Sequence, residues 1–164
     1  MEQEDAESTR YEAVYEVQRG EFMVSSDPAR LDLEVIHRFL YHSYWSPGIP
    51  RDQVEKAVRN SLCFGLYAGA EQIGFARVVT DYTSMAYVAD VFVLAAHRGR
   101  GLATWMMHCV ATCPSLSSVR MWLLATRDAH GLYRKVGFET LTHPERWLAN
   151  VQRGSWYQPE LTIE

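Results

Sequence analysis

The chain has 164 residues, of which 48% are hydrophobic and 22% are charged, and its formal net charge is −4. This length and composition predict one globular domain with a single core. The negative charge argues against a nucleic-acid partner, because a duplex-binding domain usually has a basic face. No run approaches the roughly 18 apolar residues that span a bilayer, so no membrane partner is expected.

The first 18 residues are acidic and are predicted to form an extension to a single domain over residues 19–164. Alternation of apolar and polar residues over 11–17 leaves two alternatives for the extension, a mobile segment or an edge strand. The acidic residues 1–7 are unlike a secretory signal peptide. An odd number of cysteines, three, without a framework pattern is typical of a reducing compartment, so we expect a cytoplasmic protein.

Two amphipathic helices are predicted in the first third of the chain. Asp27 followed by Pro28 is typical of a helix start, with Asp27 as the N-cap. A second helix is predicted to begin at Pro50. The residues expected to face inward are Leu31, Val35, Ile36, Phe39, Leu40, Val54, Ala57 and Val58.

The rest of the chain predicts strands that alternate with helices. Residues 62–68 and 72–79 flank the turn residues 69–71 and therefore predict a hairpin. The elements predicted after it are a turn over 81–84, a strand over 86–94, a helix over 102–113, a strand over 119–125, a helix over 128–135 and extended chain from Gly137. This order predicts an α/β fold with helices over a mixed sheet.

One predicted strand leads directly into a basic glycine loop and then into a helix, over residues 90–103. Gly99 and Gly101 let the backbone approach a ligand closely, and Arg98 and Arg100 add positive charge. Backbone N–H groups at the start of the helix favour an anion at the same place. The segment therefore predicts a pyrophosphate site.

Two nucleotide-binding loops fail to match this segment. A nucleoside-triphosphatase loop ends in Gly-Lys-Ser/Thr, whereas this helix opens with Gly101-Leu102-Ala103-Thr104. A dinucleotide fingerprint needs a third glycine where Thr104 stands. It also needs an acidic residue about 20 positions further on, where the chain has Arg120, Met121 and Trp122. A nucleotide-binding protein is therefore disfavoured.

Two segments resemble the GNAT superfamily of N-acetyltransferases. Residues 98–103, Arg-Gly-Arg-Gly-Leu-Ala, resemble the Gln/Arg-x-x-Gly-x-Gly/Ala loop that binds the pyrophosphate of coenzyme A. Residues 129–138, Ala-His-Gly-Leu-Tyr-Arg-Lys-Val-Gly-Phe, resemble the Ala-x-x-Leu-Tyr-x-x-x-Gly-Phe segment of that family. The resemblance covers about residues 22–138. It implies a GNAT-like mixed, largely antiparallel central sheet with helices on both faces.

The resemblance also implies which residues hold acetyl-CoA as the co-substrate. The strand before the loop should pair with the pantetheine arm through Val91, Phe92 and Val93. Thr126 stands where the family commonly has an Asn that helps to hold the cofactor. The phosphate-binding amides would be those of Arg98, Gly99, Arg100, Gly101, Leu102, Ala103 and Thr104. No His or Cys set has the spacing of a zinc site, so no metal is expected.

Tyr133 and Asp90 are the predicted catalytic residues. Tyr133 matches the family tyrosine that protonates the thiolate leaving group, and its other interpretation is a core aromatic residue. Asp90 stands near the position of a carboxylate that acts as a base through water. Its other interpretation is a strand residue paired with an amide or an Arg. Asp81 and His130 are further candidates for the base.

The acceptor is expected to contact the aromatic segment 41–48, with Tyr41, Tyr44 and Trp45 as its contacts. The sequence thus predicts transfer of an acetyl group from acetyl-CoA to a primary amine of a small molecule, or of an amino-acid-like molecule, by direct attack. The alternative is a non-catalytic acyl-CoA-binding sensor or interaction module of the same fold. Strand edges predicted over 156–163 would allow pairing between subunits as a homodimer.

Overall fold

The computed structural model describes residues 13–163, so residues 1–12 of the predicted extension lie outside the described residues. A six-stranded sheet has its strands in chain order. The first five strands pair antiparallel, and the last pair is parallel. The strands are β1 (Glu16–Arg19), β2 (Phe22–Ser25), β3 (Leu62–Ala68), β4 (Glu71–Thr80), β5 (Met85–Val93) and β6 (Met121–Leu123).

Within residues 13–163 four α-helices are present, and they lie on both faces of the sheet. They are α1 (Leu33–Tyr41), α2 (Arg51–Arg59), α3 (Leu102–Ala111) and α4 (His130–Arg134). Met106 and Val110 of α3 belong to the core on one face. Ile36 and Val54 of α1 and α2 pack with Phe92 of the sheet in the core on the other. The predicted mixed, largely antiparallel sheet with helices on both faces is confirmed.

The first helix begins later than the sequence predicts. Asp27 caps only a 3-10 turn over Pro28–Arg30. Asp32 is the N-cap of α1, because its Oδ1 accepts two N–H groups of the first helical turn at 2.9 and 3.1 Å. The backbone N–H of Asp32 donates to Oε1 of Gln72 at 2.7 Å. The buried side chain of Gln72 on β4 therefore anchors the start of the helix to the sheet.

The C-terminal part of the described chain contains less strand than the sequence predicts. β6 covers three residues, Met121–Leu123, instead of 119–125. The segment after Gly137 forms no strand within residues 13–163. The prediction of a strand over 156–163 is wrong, since that segment contains a turn and a 3-10 helix at Pro159–Leu161. The homodimer that depended on this strand edge stays untested.

The segment 156–163 instead packs on the loop between α1 and α2. The N–H of Gln158 donates to the carbonyl of Pro47 at 2.9 Å, and the N–H of Ile163 donates to that of His42 at 3.0 Å. A Cβ on Gly48 would lie 2.5 Å from the carbonyl oxygen of Trp156. These backbone contacts are incompatible with a free strand edge, which is why the predicted strand does not form.

The three cysteines are core residues. Cys63, Cys109 and Cys113 are buried and free. Burial raises the pKa of the Cys63 thiol to about 12, so this group stays protonated and unreactive near neutral pH. No helix within residues 13–163 is both long enough and apolar enough to cross a bilayer.

Candidate active site

The glycine loop presents a row of backbone N–H groups at the start of α3. Gly99 has φ +74° and Gly101, the N-cap of α3, has φ +71°. These left-handed conformations favour glycine. Within the described chain, the N–H groups of residues 99–104 have no hydrogen-bond partner. A Cβ on either glycine would meet no atom within 4 Å, so the space beside both residues is open. The cradle fits a phosphate group.

The two arginines of the loop contact the protein itself. Nε of Arg98 donates to the carbonyl of Val93 at 2.9 Å, which attaches the loop to the end of β5. Arg100 lies over the ring of Phe22 and forms an exposed ion pair with Glu21 at 3.2 Å. Each guanidinium therefore has one hydrogen-bond partner in the described chain, whereas the backbone amides of the loop have none.

The strand that precedes the loop, β5, has a partner strand on both sides in its first part and on one side in the rest. β5 pairs with β6 over Met85–Tyr87, and β6 ends at Leu123. From Val88 to Val93, β5 therefore has no partner strand on this side within residues 13–163. The predicted residues Val91, Phe92 and Val93 lie in this open half. Their free backbone edge can accept an extended ligand by strand-like hydrogen bonding.

A β-bulge bends β5 in the same open half. Phe92 pairs with Phe75 and Ala89 pairs with Arg77, so two residues, Asp90 and Val91, oppose a single residue of β4. Asp90 has φ +53°, a left-handed conformation that is uncommon outside glycine. The bulge turns the Asp90 side chain to partners that regular alternation does not predict.

Asp90 connects the bulge to the loop between α1 and α2. Its Oδ2 accepts from Nε of Arg77 at 2.7 Å, and its Oδ1 accepts from Nε1 of Trp45 at 3.0 Å. Arg77 also donates to Oγ of Ser61 at 3.1 Å. The side chains of Asp90 and Arg77 are 11% and 17% exposed, so the ion pair is largely shielded from water. This geometry favours a positioning role for Asp90 over the general-base role that the sequence predicts.

We expect Asp90→Asn to lower the free energy of unfolding by about 1–3 kcal/mol, because it leaves the shielded Arg77 charge unpaired. Urea unfolding measures this change. The Arg77→Gln, Asp90→Asn double variant should recover part of the loss, since it removes both charges. The pH–rate profile of Asp90→Asn should keep the wild-type shape. Loss of its acidic limb would show that Asp90 is the base after all.

The backbone after α4 explains the Leu-Tyr-x-x-x-Gly-Phe pattern. The N–H of Phe138 donates to the carbonyl of Tyr133, and the N–H of Gly137 donates to that of Arg134, at 3.1 and 3.2 Å. Gly137 has φ +95°. This is a Schellman cap, in which a left-handed glycine ends the helix and returns the next residue to the last turn. Phe138 thereby packs edge-on against the Tyr133 ring, with centroids 5.8 Å apart.

Tyr133 lies half-buried beside the open half of β5. Burial, with a smaller contribution from Tyr44, raises the pKa of its hydroxyl to about 12. The phenol therefore keeps its proton throughout the neutral range and can donate it. The structure gives the predicted acid a protonated state and a place in the cavity.

A cavity of about 360 Å³ brings together both predicted catalytic residues and four other predicted site residues, but not the residues of the glycine loop. Tyr41 is outside it and packs its ring against His37 and His42 instead. The predicted residues in its wall are Tyr44, Trp45, Asp90, Val91, Thr126 and Tyr133. The acceptor segment therefore contributes two aromatic rings to the cavity rather than three.

Thr126 stabilises the loop that closes one side of the cavity. Its Oγ1 accepts the N–H of Ala129 at 3.0 Å. This short side-chain-to-backbone bond holds residues 126–129 in a turn before α4. Within residues 13–163 the hydroxyl has no further bond, and its predicted contact with the cofactor stays a prediction.

The two other candidates for the base lie in different surroundings. Asp81 accepts N–H bonds from Thr83, Ser84 and Met85, and these bonds and the Ser84 hydroxyl hold the pKa of its carboxyl well below the usual range. It is a turn residue and does not line the cavity. His130 lines a groove on the other side of Tyr133.

Sequence reasoning missed two residues of the site, Arg77 and Tyr87. Arg77 is a charged residue within the otherwise apolar run of β4, and such a residue in a buried strand signals a partner on a neighbouring strand. Tyr87 lines the cavity from β5 and carries no motif. No group of three or more His, Cys, Asp or Glu side chains within residues 13–163 is arranged to hold a metal ion.

The amide cradle, the open half of β5 and the half-buried phenol of Tyr133 together fit an acyltransferase that uses a phosphate-bearing acyl carrier. The model of the acetyltransferase (GNAT) domain matches residues 59–140, which include all three features. A protein of Gibberella zeae named as a candidate acetyltransferase is 30% identical over 138 residues, 71% of this chain and 78% of its own. The chain belongs to the GNAT family of acetyltransferases.

Solved structures agree with this membership. A GNAT-family protein from Xanthomonas campestris pv. campestris is 39% identical, with a TM-score of 0.81 over 86% of this chain and 100% of that one. A predicted acetyltransferase from Clostridium acetobutylicum, solved with acetyl-CoA, has a TM-score of 0.60 over 79% of this chain and 94% of its own. Its identity is 15%, so this second likeness concerns the fold alone.

Proposed function

We propose that the protein transfers an acetyl group from acetyl-CoA to a primary amine of a small molecule by direct attack. The observation that carries this proposal is that one cavity joins the open half of β5 to Tyr133. The free amides of the loop lie at the end of the same strand. A bound acetyl-CoA molecule in the structure of the C. acetobutylicum relative supports the choice of co-substrate.

Acetyl-CoA supplies an activated thioester when it is bound. The N–H groups of residues 99–104 would hold its pyrophosphate, and the backbone of Val91, Phe92 and Val93 would hold its pantetheine arm. The neutral amine forms the new C–N bond and gives up one proton to solvent, and the C–S bond breaks to release the thiolate of coenzyme A. The hydroxyl of Tyr133 is the group that can return a proton to the departing sulfur.

The cavity supports a small molecule as the acceptor. Its volume of about 360 Å³ is near the lower end of the range for small-ligand pockets. The rings of Tyr44 and Trp45 meet edge to face, with centroids 5.0 Å apart, and form one wall. Flat walls with polar tips suit a small organic amine better than an extended peptide, which needs a groove open at both ends.

The test is release of the free thiol of coenzyme A from acetyl-CoA in the presence of a panel of small primary amines. We expect release that depends on both the amine and the protein, with the acetylated amine identified by mass spectrometry. Thiol release without an acetylated amine would contradict the proposal. Tight binding of acetyl-CoA with no transfer to any amine would favour the alternative, a non-catalytic acyl-CoA-binding module.

A further inference from the structure

Arg127 lies at the rim of the cavity and is attached to the acceptor wall by an aromatic ring. Its guanidinium stands over the ring of Tyr44, 3.9 Å from the centroid. Its backbone N–H donates to Oη of Tyr44 at 3.3 Å. A guanidinium stacked on an aromatic face is held in plane while its N–H groups stay available at the edge. The proposed transfer reaction leaves this positive group without a role.

The counter-ion of Arg127 is its neighbour in the chain, and the pair is exposed. Oδ2 of Asp128 accepts from Nη2 and Nε of Arg127 at 3.1 and 3.3 Å. The two side chains are 64% and 61% exposed, so water competes for both and the pair contributes little. The Asp128 carboxylate has no other hydrogen-bond partner within residues 13–163, whereas Tyr44 still holds Arg127 if Asp128 leaves. Another anion can therefore replace Asp128 at small cost.

A carboxylate stands at the other end of the same aromatic wall. Trp45, which packs against Tyr44, donates its Nε1–H to Asp90 at the bulge of β5. Adjacent aromatic residues thus connect the Asp90–Arg77 ion pair at the bulge with the guanidinium of Arg127 at the rim. Asp90 and Arg127 both line the cavity that would hold the acceptor.

We propose that the acceptor is a small amine that also carries a carboxylate, as an amino acid does, and that Arg127 binds this carboxylate in place of Asp128. The inference rests on the proposed function and adds the second charged group of the acceptor. The planar fork of an arginine matches a carboxylate with two parallel N–H···O bonds.

The test compares β-alanine and γ-aminobutyrate with their uncharged amides as acceptors. Wild-type protein should show a kcat/KM about 10- to 100-fold higher for the carboxylates, because only a carboxylate can accept two parallel N–H···O bonds from the guanidinium. Arg127→Gln should abolish this preference, so that acid and amide acceptors react with similar kcat/KM, and should leave the Kd for acetyl-CoA unchanged. Arg59→Gln, an equal loss of charge at the exposed end of α2, is the matched control and should keep the preference.

A second variant and a binding measurement make the result independent of turnover. Asp128→Asn should raise kcat/KM for the carboxylates a few-fold, because it removes the competing anion. Butyrate, which has no amine, should bind to wild type in a calorimetric titration and fail to bind to Arg127→Gln.

Three results would overturn the inference. The first is equal rates with acid and amide in wild type, and the second is an acid preference that survives in Arg127→Gln. The third is a preference for diamines, which would mean that Asp128, rather than Arg127, binds the acceptor. Acetyl transfer without an acid preference leaves the proposed function intact and removes only this inference. Butyrate binding that depends on Arg127, with no transfer to any amine, would contradict the proposed function and leave only a carboxylate site at Arg127.

Discussion

Replacing Tyr133 with phenylalanine should lower kcat by about one to three orders of magnitude, because the departing thiolate loses its proton donor. The ring stays packed on Phe138, so the Schellman cap and α4 should keep their structure. The Kd for acetyl-CoA should stay unchanged, since the hydroxyl lies away from the amide cradle. Steady-state thiol release and calorimetric titration measure the two quantities.

The raised pKa of Tyr133 adds a prediction on pH dependence. An unfolded tyrosine ionises near 10, whereas the folded group ionises near 12. The folded state therefore binds more protons between these values, and the free energy of unfolding should fall as the pH rises from 10 to 12. Tyr133→Phe should remove its share of this fall.

Tyr67→Phe is the matched control for the measurements of kcat and of the Kd for acetyl-CoA. Burial raises the pKa of Tyr67 to about 12 as well, but this residue lies outside the cavity. Its buried hydroxyl has no hydrogen-bond partner within residues 13–163. The control variant should keep full activity. A wild-type kcat in Tyr133→Phe would remove Tyr133 from the mechanism.

Replacing Gly101 with valine should weaken acetyl-CoA binding by about 100-fold or more, or roughly 2.7 kcal/mol. The left-handed backbone disfavours any side chain with a Cβ, and a branched one most of all. The valine side chain would also occupy open space beside the loop that is the proposed phosphate site. Calorimetric titration with acetyl-CoA measures the loss, with ATP and NAD as control ligands.

Gly20→Val separates backbone strain from loss of the cradle. Gly20, in the turn between β1 and β2, has φ +59° and equally open surroundings. The two variants should therefore lose similar amounts of thermal stability, and only Gly101→Val should lose acetyl-CoA. If Gly20→Val weakened binding to the same extent, the effect would be global and the cradle assignment would fail. If wild type itself bound no acetyl-CoA, the co-substrate proposal would fail with it.

Local features of the site could be predicted because neighbours in the sequence create them. Gly99 and Gly101 determine the turn that exposes the amides of α3, and Gly137 determines the cap that returns Phe138 to Tyr133. Each feature depends on the conformation of one short segment. The order of strands and helices followed from hydrophobic patterning for the same reason, so the fold class and the family could be inferred from the chain.

Competition between segments could not be predicted. Asp27 and Asp32 are both suitable N-caps, and the choice depends on Gln72, a residue 40 positions from Asp32. The predicted strand over 156–163 fails because that segment finds hydrogen-bond partners in the loop between α1 and α2. Patterning reports what one segment favours by itself and contains no information about which distant partner it meets.

Backbone preferences and periodicity within single segments are enough to predict three features: the turn in the glycine loop before α3, the cap that ends α4 after Tyr133, and the layered α/β architecture. Only the tertiary structure decided the electrostatics of the acceptor side. The bulge in β5 turns Asp90 to Arg77 and Trp45, residues 13 and 45 positions away, and Arg127 meets Tyr44 across 83 positions. Strand register and loop packing create these contacts. They could not be predicted from single segments, because the role of a charged group depends on the groups that surround it in space.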